Sequence, residues 1–255
     1  MTWSKGLKRM RGLGLILILT GLLVPSAWGL AVTRGPYLQQ QTYHSIIVRW
    51  RTDVATNSVV RYGTDSTDLN LSSSNGLSTT EHTVLVDGLS PATQYFYSVG
   101  NSSAAIEGDV SYHFSSSPVP GTAANTRVWV IGDSGTANSN ARAVRDAFKT
   151  WSKSQAADFM LMLGDNAYDH GTDAEYQSAV FDTYPELLRQ LPLWSTLGNH
   201  DGHSADSETQ AGPYYEIFEL PTAAEAGGLA SFTEAYYSFD YGNIHFVVLD
   251  SYDSD

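Results

Sequence analysis

The spacing of apolar residues changes once along the chain. From residue 35 to about residue 117 apolar and polar side chains alternate, as where Ile46, Val48 and Trp50 share one face of the segment 45–51. Alternation of this kind predicts half-buried strands. Further short strands are predicted at 59–62, 83–86, 95–99 and 112–114, separated by polar clusters such as 72–75. Short strands at this spacing predict an antiparallel β-sandwich over residues 32–117.

Beyond residue 126 the pattern predicts alternating strands and helices. Apolar runs at 127–131, 159–163 and 193–197 are separated by helical spacing at 139–151 and 174–189. Runs that are apolar on both faces indicate covered parallel strands, so the order predicts a β-α-β-α-β unit. A hairpin over residues 236–250 follows, with its turn at Tyr241-Gly242-Asn243.

Local signals refine the two predicted helices. Asn138 or Ser139 is suited to cap the first helix, and Pro185 is expected to break the second. The apolar face of the first helix is predicted to contain Val144, Ala147, Phe148 and Trp151.

The first residues have the order of a secretory signal peptide. Four basic side chains precede an apolar run at 13–24, and small residues follow at Ala27 and Gly29. The run is shorter than the roughly 20 apolar residues of a membrane span. We therefore expect a signal peptide over residues 1–29 and a secreted, periplasmic or extracellular protein that is not held by a membrane after cleavage. An uncleaved N-terminal anchor is the alternative.

Composition narrows the classes of partner. The net charge is −13. Loss of the leader would remove four basic residues and no acidic residue, which makes the net charge more negative. Such a chain is not expected to bind nucleic acid through a basic patch. It has no cysteine, which excludes disulfides and thiolate metal sites. The sequence assigns no oligomeric state.

The organisation that follows has two folded domains. A linker with Pro118, Pro120 and Gly121 is predicted over residues 118–126, between the sandwich at 32–117 and an α/β domain at 127–255. The fold class is thus multidomain, all-β plus α/β. The string 89–95, Leu-Ser-Pro-Ala-Thr-Gln-Tyr, resembles the turn and corner tyrosine of a fibronectin type III module.

Three short strings follow the three apolar runs of the second domain. They are Gly132-Asp133-Ser134-Gly135, Gly164-Asp165-Asn166-Ala167-Tyr168 and Gly198-Asn199-His200-Asp201. Ligands of open α/β sheets bind beyond the carboxyl ends of the strands, which is where all three strings are predicted. Neighbouring parallel strands lie about 4.8 Å apart, so the oxygens of Asp133, Asp165 and Asn199 can converge on metal ions. The glycine before each one is expected to allow a sharp turn.

Tyr168 is the most discriminating residue of these strings. A phenol titrates near pH 10, so a tyrosine ligand must lose its proton to a strongly charged hard ion. Ferric iron is the obvious candidate. The central carboxylate, Asp165, is suited to bridge two ions, which in two-metal hydrolytic sites lie about 3.5–4 Å apart.

Together these strings resemble the first three signature blocks of the purple acid phosphatases, GDxG, GDxxY and GNH(D/E). This branch of the calcineurin-like metallophosphoesterases carries a fibronectin-like domain in its larger members. The resemblance implies a central mixed sheet flanked by helices and a dinuclear centre with Fe(III) and a divalent iron, zinc or manganese ion. It implies that Asp133 and Tyr168 bind the ferric ion, that Asp165 bridges and that Asn199 binds the divalent ion.

The resemblance also implies a reaction. His200 would contact the substrate phosphate and help to protonate the leaving group, while a metal-bound hydroxide attacks phosphorus in a small phosphate monoester. Asp201 is expected to order the His200 loop. His170 and His203 are expected to be unremarkable, since neither belongs to a pair with metal-ligand spacing.

The family's later blocks, VxxH and GHxH, do not occur after Asn199. Those blocks supply three further histidine ligands, so we expect the chain to be a truncated product that is inactive alone. The main interpretation is a secreted acid phosphatase. The alternatives are a phosphodiesterase or nucleotidase on the same fold, and a non-catalytic secreted binding module with a degenerate site.

Overall fold

The computed structural model describes residues 1–2 and 29–252. The predicted signal peptide therefore lies, apart from its ends, outside the described residues. Buried hydrophobic side chains form two clusters, one built from residues 38–114 and the other mainly from residues 159–248. The first is the core of the β-rich part and the second is the core of the α/β part. Within these described ranges no helix is both long and apolar enough to cross a membrane.

Six antiparallel strands build the first part. They are β1 (Val32–Gln39), β2 (Ser45–Gly63), β3 (Leu71–Asp87), β4 (Gln94–Gly100), β5 (Ala105–Glu107) and β6 (His113–Ser115). The predicted inward face is confirmed, since Ile46, Val48 and Trp50 are all buried. Alternate residues of β2 point into the core because side chains of a strand alternate between its two faces.

Two sequence expectations about this part are wrong. The predicted strands 45–51 and 59–62 are one strand, β2, and the polar cluster 72–75 lies inside β3 rather than in a loop. The cluster pairs with the second half of β2, from Ser58 opposite Asn75 to Arg61 opposite Ser72. Backbone pairing at an exposed sheet edge thus outweighs the low strand propensity of serine and asparagine.

Tyr95 closes the turn that the string 89–95 predicts. The backbone N–H of Ser90 donates to the Tyr95 hydroxyl at 2.9 Å. The ring is buried and packs on Phe114, with centroids 5.7 Å apart. The tyrosine is therefore a packing residue that fixes the corner before β4.

The second part has the predicted β-α-β-α-β order. Its parallel sheet has the order β7 (Val128–Ile131), β8 (Phe159–Met162) and β9 (Leu193–Ser195). The helices are α1 (Ser139–Ser152), α2 (Asp173–Tyr176), a π-helical turn (Gln177–Phe181), α3 (Pro185–Leu188), a 3-10 turn (Asp201–His203) and α4 (Pro213–Ile217). Asn138 caps α1, since its side chain accepts from the N–H groups of Asn140 and Ala141. The expected break occurs where Pro185 begins α3.

The predicted apolar face of α1 is largely uncovered. No residue of α1 is buried, and Val144 and Trp151 are 55% and 52% exposed. Of this face, Phe148 alone stacks its ring on the sheet, against Trp129 of β7 at a centroid distance of 4.0 Å. Within the described residues β7 is an edge strand, so little of α1 has a surface to pack against, and Val130 of β7 is itself exposed.

The C-terminal hairpin packs on this sheet. Strands β10 (Tyr237–Tyr241) and β11 (Ile244–Val248) pair around the predicted turn. Trp194 of β9 stacks on Phe239 of β10, with ring centroids 3.9 Å apart and planes 2° from parallel. Aromatic burial of this kind fixes the hairpin over one face of the sheet.

The sandwich is joined to the α/β part by buried polar contacts. The hydroxyl of Tyr37 and the Nη1 group of Arg49 both donate to the carbonyl of Ile217, at 2.8 and 2.6 Å. Tyr37 belongs to the α/β core although it lies on β1. This interface fixes the end of α4, which follows β9 in the chain, against the sandwich.

Candidate metal centre

The carboxyl ends of the three parallel strands place the predicted ligands on one edge of the sheet. Asp133 follows β7, Asp165 follows β8 and Asn199 follows β9. The first two loops are tied by backbone hydrogen bonds, in which the N–H of Asp133 donates to the Gly164 carbonyl and that of Gly135 to the Asp165 carbonyl. The sequence spacing therefore brings together side chains that are far apart along the chain.

The turns at the two aspartates are sharp in a way that the sequence only partly anticipates. Asp133 and Asp165 themselves adopt the left-handed backbone conformation, with φ of 50° and 52°. Such a conformation costs of order 1 kcal/mol or more in a non-glycine residue and concentrates at functional sites. Gly132, in contrast, has no positive φ and has room for a Cβ atom, so the expected need for glycine there is wrong.

Glycine is required at positions 164 and 198 instead. Gly164 has φ of 88°, and a Cβ atom there would lie 2.9 Å from the Cα atom of Gly198. A Cβ atom on Gly198 would overlap both the backbone nitrogen and the Oδ1 atom of Asp165. These two glycines let the loops after β8 and β9 approach each other, and their contact fixes where the Asp165 carboxylate lies.

Tyr168 joins the two carboxylates. Its hydroxyl lies 3.0 Å from Oδ1 of Asp133 and 2.9 Å from Oδ2 of Asp165. A phenol has one proton to donate, so the hydroxyl cannot satisfy both acceptors at once. Burial and then the hydrogen bonds to Asp165 and Asp133 raise the pKa of Tyr168 well above its ordinary value. The phenol therefore stays protonated at neutral pH unless a cation displaces the proton.

Asn199 completes the polar wall of a cleft of about 340 Å³. Its side chain is exposed and makes no hydrogen bond to any residue that the structure describes. Asp133, Asp165, Thr196, Leu249 and Tyr252 also line the cleft. Two carboxylates, a phenol and an unengaged amide oxygen form the kind of oxygen-rich donor set that hard cations prefer. The residues present thus fit a metal site, although the described residues contain no cluster of three His, Cys, Asp or Glu ligands.

His200 lies at the rim of the same site. Its backbone N–H donates to Oδ1 of Asp165 at 3.1 Å, and its ring meets the edge of the Tyr168 ring at a centroid distance of 4.4 Å. Its Nδ1 atom is 2.7 Å from the carbonyl oxygen of Asp169. Since a carbonyl only accepts, Nδ1 must carry the proton and the neutral ring presents an unprotonated Nε2.

Asp201 lies beneath the rim and is fully buried. Its carboxylate accepts from the N–H groups of Asn166 and Gly198 and from the Tyr176 hydroxyl. Burial raises the pKa of Asp201, against the effect of these donors. The carboxylate connects the residue after Asp165 to the residue before Asn199, which is the ordering role that the sequence leads us to expect for it.

Sequence reasoning missed two further features of the rim. His170, His200 and His203 form a cluster with His203 in the middle. The ring centroid of His203 lies 5.6 Å from that of His170 and 5.3 Å from that of His200, so neither His170 nor His203 is isolated. Glu175 also binds the loop that carries Asp169. The sequence signal for Glu175 is the capping pattern Thr172-x-x-Glu175, which the structure shows in full.

Comparison with protein families matches both parts of the chain. Residues 35–119 match the N-terminal domain of purple acid phosphatases, and residues 126–254 match the calcineurin-like phosphoesterases. Purple acid phosphatase 23 of Arabidopsis thaliana is 28% identical over an alignment that covers 67% of this chain and 40% of that protein. Purple acid phosphatase 15 of the same plant is 26% identical, with 67% and 35% covered.

A third relative and two solved structures extend the comparison. Probable inactive purple acid phosphatase 1 of A. thaliana is 27% identical, with 67% of this chain and 30% of that protein covered. The chain thus spans 30–40% of the length of these relatives. The fold is similar to a structure of PhoD (TM-score 0.62, 16% identity, 86% of this chain and 52% of that chain). It is also similar to purple acid phosphatase PPD1 of yellow lupin, Lupinus luteus (TM-score 0.57, 20% identity, 87% and 46%).

The family matches cover the sandwich and the α/β part in the order that the sequence predicts. The structural similarities cover 86% and 87% of the chain and therefore extend over both parts. This chain belongs to the purple acid phosphatase family of calcineurin-like phosphoesterases.

Proposed function

We propose that this chain carries the Asp-Asp-Tyr-Asn part of a dinuclear metal centre that hydrolyses phosphoric esters. Asp133 and Tyr168 would hold a ferric ion, Asp165 would bridge, and Asn199 would hold a divalent iron, zinc or manganese ion. The observation that carries the proposal is the Tyr168 hydroxyl within hydrogen-bond distance of both carboxylates. A site with two negative charges and one shared proton is stabilised by a cation in place of that proton.

The substrate class that fits is a small phosphate monoester, as for an acid phosphatase. When bound, the metal pair supplies a nucleophilic oxygen and neutralises the charge that develops on the phosphate. His200 would contact that phosphate and, with its Nδ1–H held by the Asp169 carbonyl, would give the leaving group a proton from Nε2 when the ring is in its doubly protonated, imidazolium form. The exposed cleft leaves room for such a substrate above the carboxylates.

The leader favours export of the protein. Its basic start and short apolar run are the features of a secretory signal, so the hydrolase would act outside the cytoplasm. The check is the N-terminal sequence of the protein recovered from its own cells. A first residue close to Gly29 supports export, and an intact N-terminus contradicts it.

The metal assignment is tested by loading the protein with Fe(III) and recording its visible spectrum. We expect a phenolate-to-iron charge-transfer band that Tyr168→Phe abolishes. Tyr43→Phe is the control, because Tyr43 is exposed on the sandwich between β1 and β2. A band that survives in the Tyr168 variant would exclude that ligand.

Because this chain is expected to be inactive alone, activity assays that separate the candidate functions use protein that includes the later histidine blocks. Hydrolysis of a phosphate monoester but not of a diester supports the acid phosphatase, whereas the reverse favours a phosphodiesterase. A protein that binds neither ion firmly would be a non-catalytic binding module. That hypothesis has one specific support, which is that one of the relatives is named a probable inactive purple acid phosphatase.

A further inference from the structure

The Glu175 side chain accepts several hydrogen bonds from the loop between Tyr168 and α2. Its carboxylate accepts from the N–H groups of Asp169 at 2.7 Å, His170 at 3.2 Å and Thr172 at 2.9 Å, and from the Thr172 hydroxyl at 2.8 Å. Four donors from three residues thus converge on one side chain. A loop held in this way has few alternative conformations, because each donor would lose a charge-assisted hydrogen bond on leaving.

The loop presents one carbonyl group to two imidazoles. The Asp169 oxygen lies 2.7 Å from Nδ1 of His200 and 3.1 Å from Nδ1 of His203. Both rings must carry their proton on Nδ1 to make these bonds, since the carbonyl has none to give. The Asp169 carbonyl shares one planar peptide unit with the N–H of His170. Glu175 binds this N–H and the N–H of Asp169 in the preceding peptide unit, so it fixes the direction of the carbonyl.

The helical turn that carries Glu175 is fixed from the other side by the sandwich. Asp173, two residues before it, binds Arg34 of β1 and Arg51 of β2, each at 2.9 Å. Arg34 is almost fully buried, and its Nε–H also donates to Gln177 at 2.8 Å. The sandwich, α2, the Glu175 carboxylate, the Asp169 carbonyl and the His200 ring therefore form a continuous series of hydrogen bonds.

We propose that Glu175 is a positioning residue that fixes the Nδ1–H tautomer of His200 through the Asp169 carbonyl. It leaves Nε2 of His200 free of a proton and directed away from the loop. The tautomer is a property of the metal-free chain and does not depend on the proposed function. The inference rests on the proposed function only where Nε2 is taken to face the substrate. Glu175 itself does not touch the cleft that would hold the substrate.

The test is nitrogen NMR of metal-free protein labelled with ¹⁵N-histidine, compared with Glu175→Gln at a pH where His200 is neutral. The wild type should show His200 with its proton on Nδ1. Loss of one net hydrogen bond of ordinary strength corresponds to about a fivefold change in a population ratio. We therefore expect the ratio of Nε2–H to Nδ1–H forms of His200 to rise about fivefold in the variant.

The chain offers a matched control in Glu225. This residue ends the same Thr-x-x-Glu pattern, lies in the segment between α4 and β10, and accepts from the N–H groups of Thr222 and Ala223 at 2.9 and 2.8 Å. Glu225→Gln should remove comparable local hydrogen bonds and leave the His200 signals unchanged. If both variants move the His200 tautomer equally, the effect is general loosening and the proposal fails.

Other outcomes are equally decisive. A wild-type His200 with its proton on Nε2, or an unchanged tautomer in a folded Glu175→Gln protein, would overturn the proposal. Should that variant not fold, Thr172→Ala removes one donor to the same carboxylate and should shift the ratio in the same direction. Failure of the proposed function would appear separately, as the absence of a ferric band in wild-type protein whose His200 tautomer is as proposed.

Discussion

Arg51 and Asp173 form a bidentate ion pair between the sandwich and the α/β part. The two Nη atoms of Arg51 each lie 2.9 Å from a different oxygen of the Asp173 carboxylate. Arg34, whose side chain is 1% exposed, binds the same carboxylate. The hydrogen bond from Arg51 is the largest of the effects that hold the pKa of Asp173 at about 2.

Asp173→Asn should destabilise the protein at neutral pH. The substitution leaves the buried guanidinium of Arg34 without its counter-charge, an effect worth about 3–5 kcal/mol for a fully buried pair. Because the Asp173 side chain is 45% exposed, we expect a smaller loss of about 2 kcal/mol in the free energy of unfolding, measured with urea. Asp146→Asn, which breaks a solvent-exposed pair on the surface of α1, should have a much smaller effect. Equal losses in the two variants would contradict this assignment.

The same ion pair predicts sensitivity to acid. The folded pKa of about 2 lies below the ordinary aspartate value, so the unfolded chain takes up this proton first as the pH falls. The contribution of Asp173 is therefore complete above about pH 4 and is lost between about pH 4 and pH 2. The stability of Asp173→Asn should vary less with pH in that window. Parallel curves for the two proteins would exclude the pair as the cause.

His82 predicts a second pH dependence, nearer to neutrality. The ring is buried against Trp50, and its nitrogens lie 2.7 Å from the Thr52 hydroxyl and 2.8 Å from the Ser58 hydroxyl. Burial lowers the pKa of His82, so the unfolded chain binds this proton at higher pH than the folded chain does. Stability should be complete above about pH 6.5 and should decline as the pH falls below it.

The measurement compares unfolding free energies of wild type and His82→Gln between about pH 8 and about pH 5, the range in which histidine titrates. The variant should lose part of the decline, whereas His44→Gln should retain it, because His44 lies on the surface. A decline of unchanged size in His82→Gln would assign it to other groups.

Gly198→Ala should impair metal binding and lower the free energy of unfolding. The added methyl group would overlap the backbone nitrogen and Oδ1 of Asp165, so the carboxylate proposed to bridge the ions must move. We expect roughly a tenfold weaker affinity for Fe(III) or more, in line with the effect of disturbing groups that orient metal ligands. Gly76→Ala, at a position with no atom near the added Cβ, should bind iron as wild type does. Competition with a chelator gives both affinities.

Trp194→Ala should cost about 3–5 kcal/mol in the free energy of unfolding. Trp194 is fully buried and stacks on Phe239, so its loss leaves a cavity between the sheet and the hairpin. Trp151→Ala is the matched control on an exposed tryptophan and should cost under about 1 kcal/mol. Similar losses for both would mean that the hairpin repacks over the sheet.

The strand order and the convergence of the motif strings can be predicted from the sequence because both follow from local patterns repeated along the chain. The buried face of β2 and the helix cap at Asn138 are of this kind. The continuity of β2 and the strand at 72–75 could not be predicted in the same way. They depend on which strand lies opposite, and that neighbour is set by tertiary pairing rather than by composition.

In the candidate site, too, the features set by local sequence patterns can be predicted and those set by tertiary contacts cannot. The positions of Asp133, Asp165 and Tyr168 follow from strand ends, whereas the histidine cluster depends on two loops that meet only in the folded chain. Helices and a strand separate His170 from His203 in sequence, and no period connects them. The exposure of Val144 and Trp151 could not be predicted either, because helical spacing shows which face is apolar but not whether a neighbour covers it.

Asp201 has a thermodynamic consequence for the order of events at the cleft. Its buried carboxylate fastens the loop after β8 to the loop after β9 with donors that belong to the chain alone. The conformational entropy of ordering these loops, about 1–2 kcal/mol per residue, is therefore lost when the chain folds rather than when a cation arrives. Cation association at such a preorganised site requires no loop closure, so its rate should follow diffusion and ligand deprotonation instead of a conformational step.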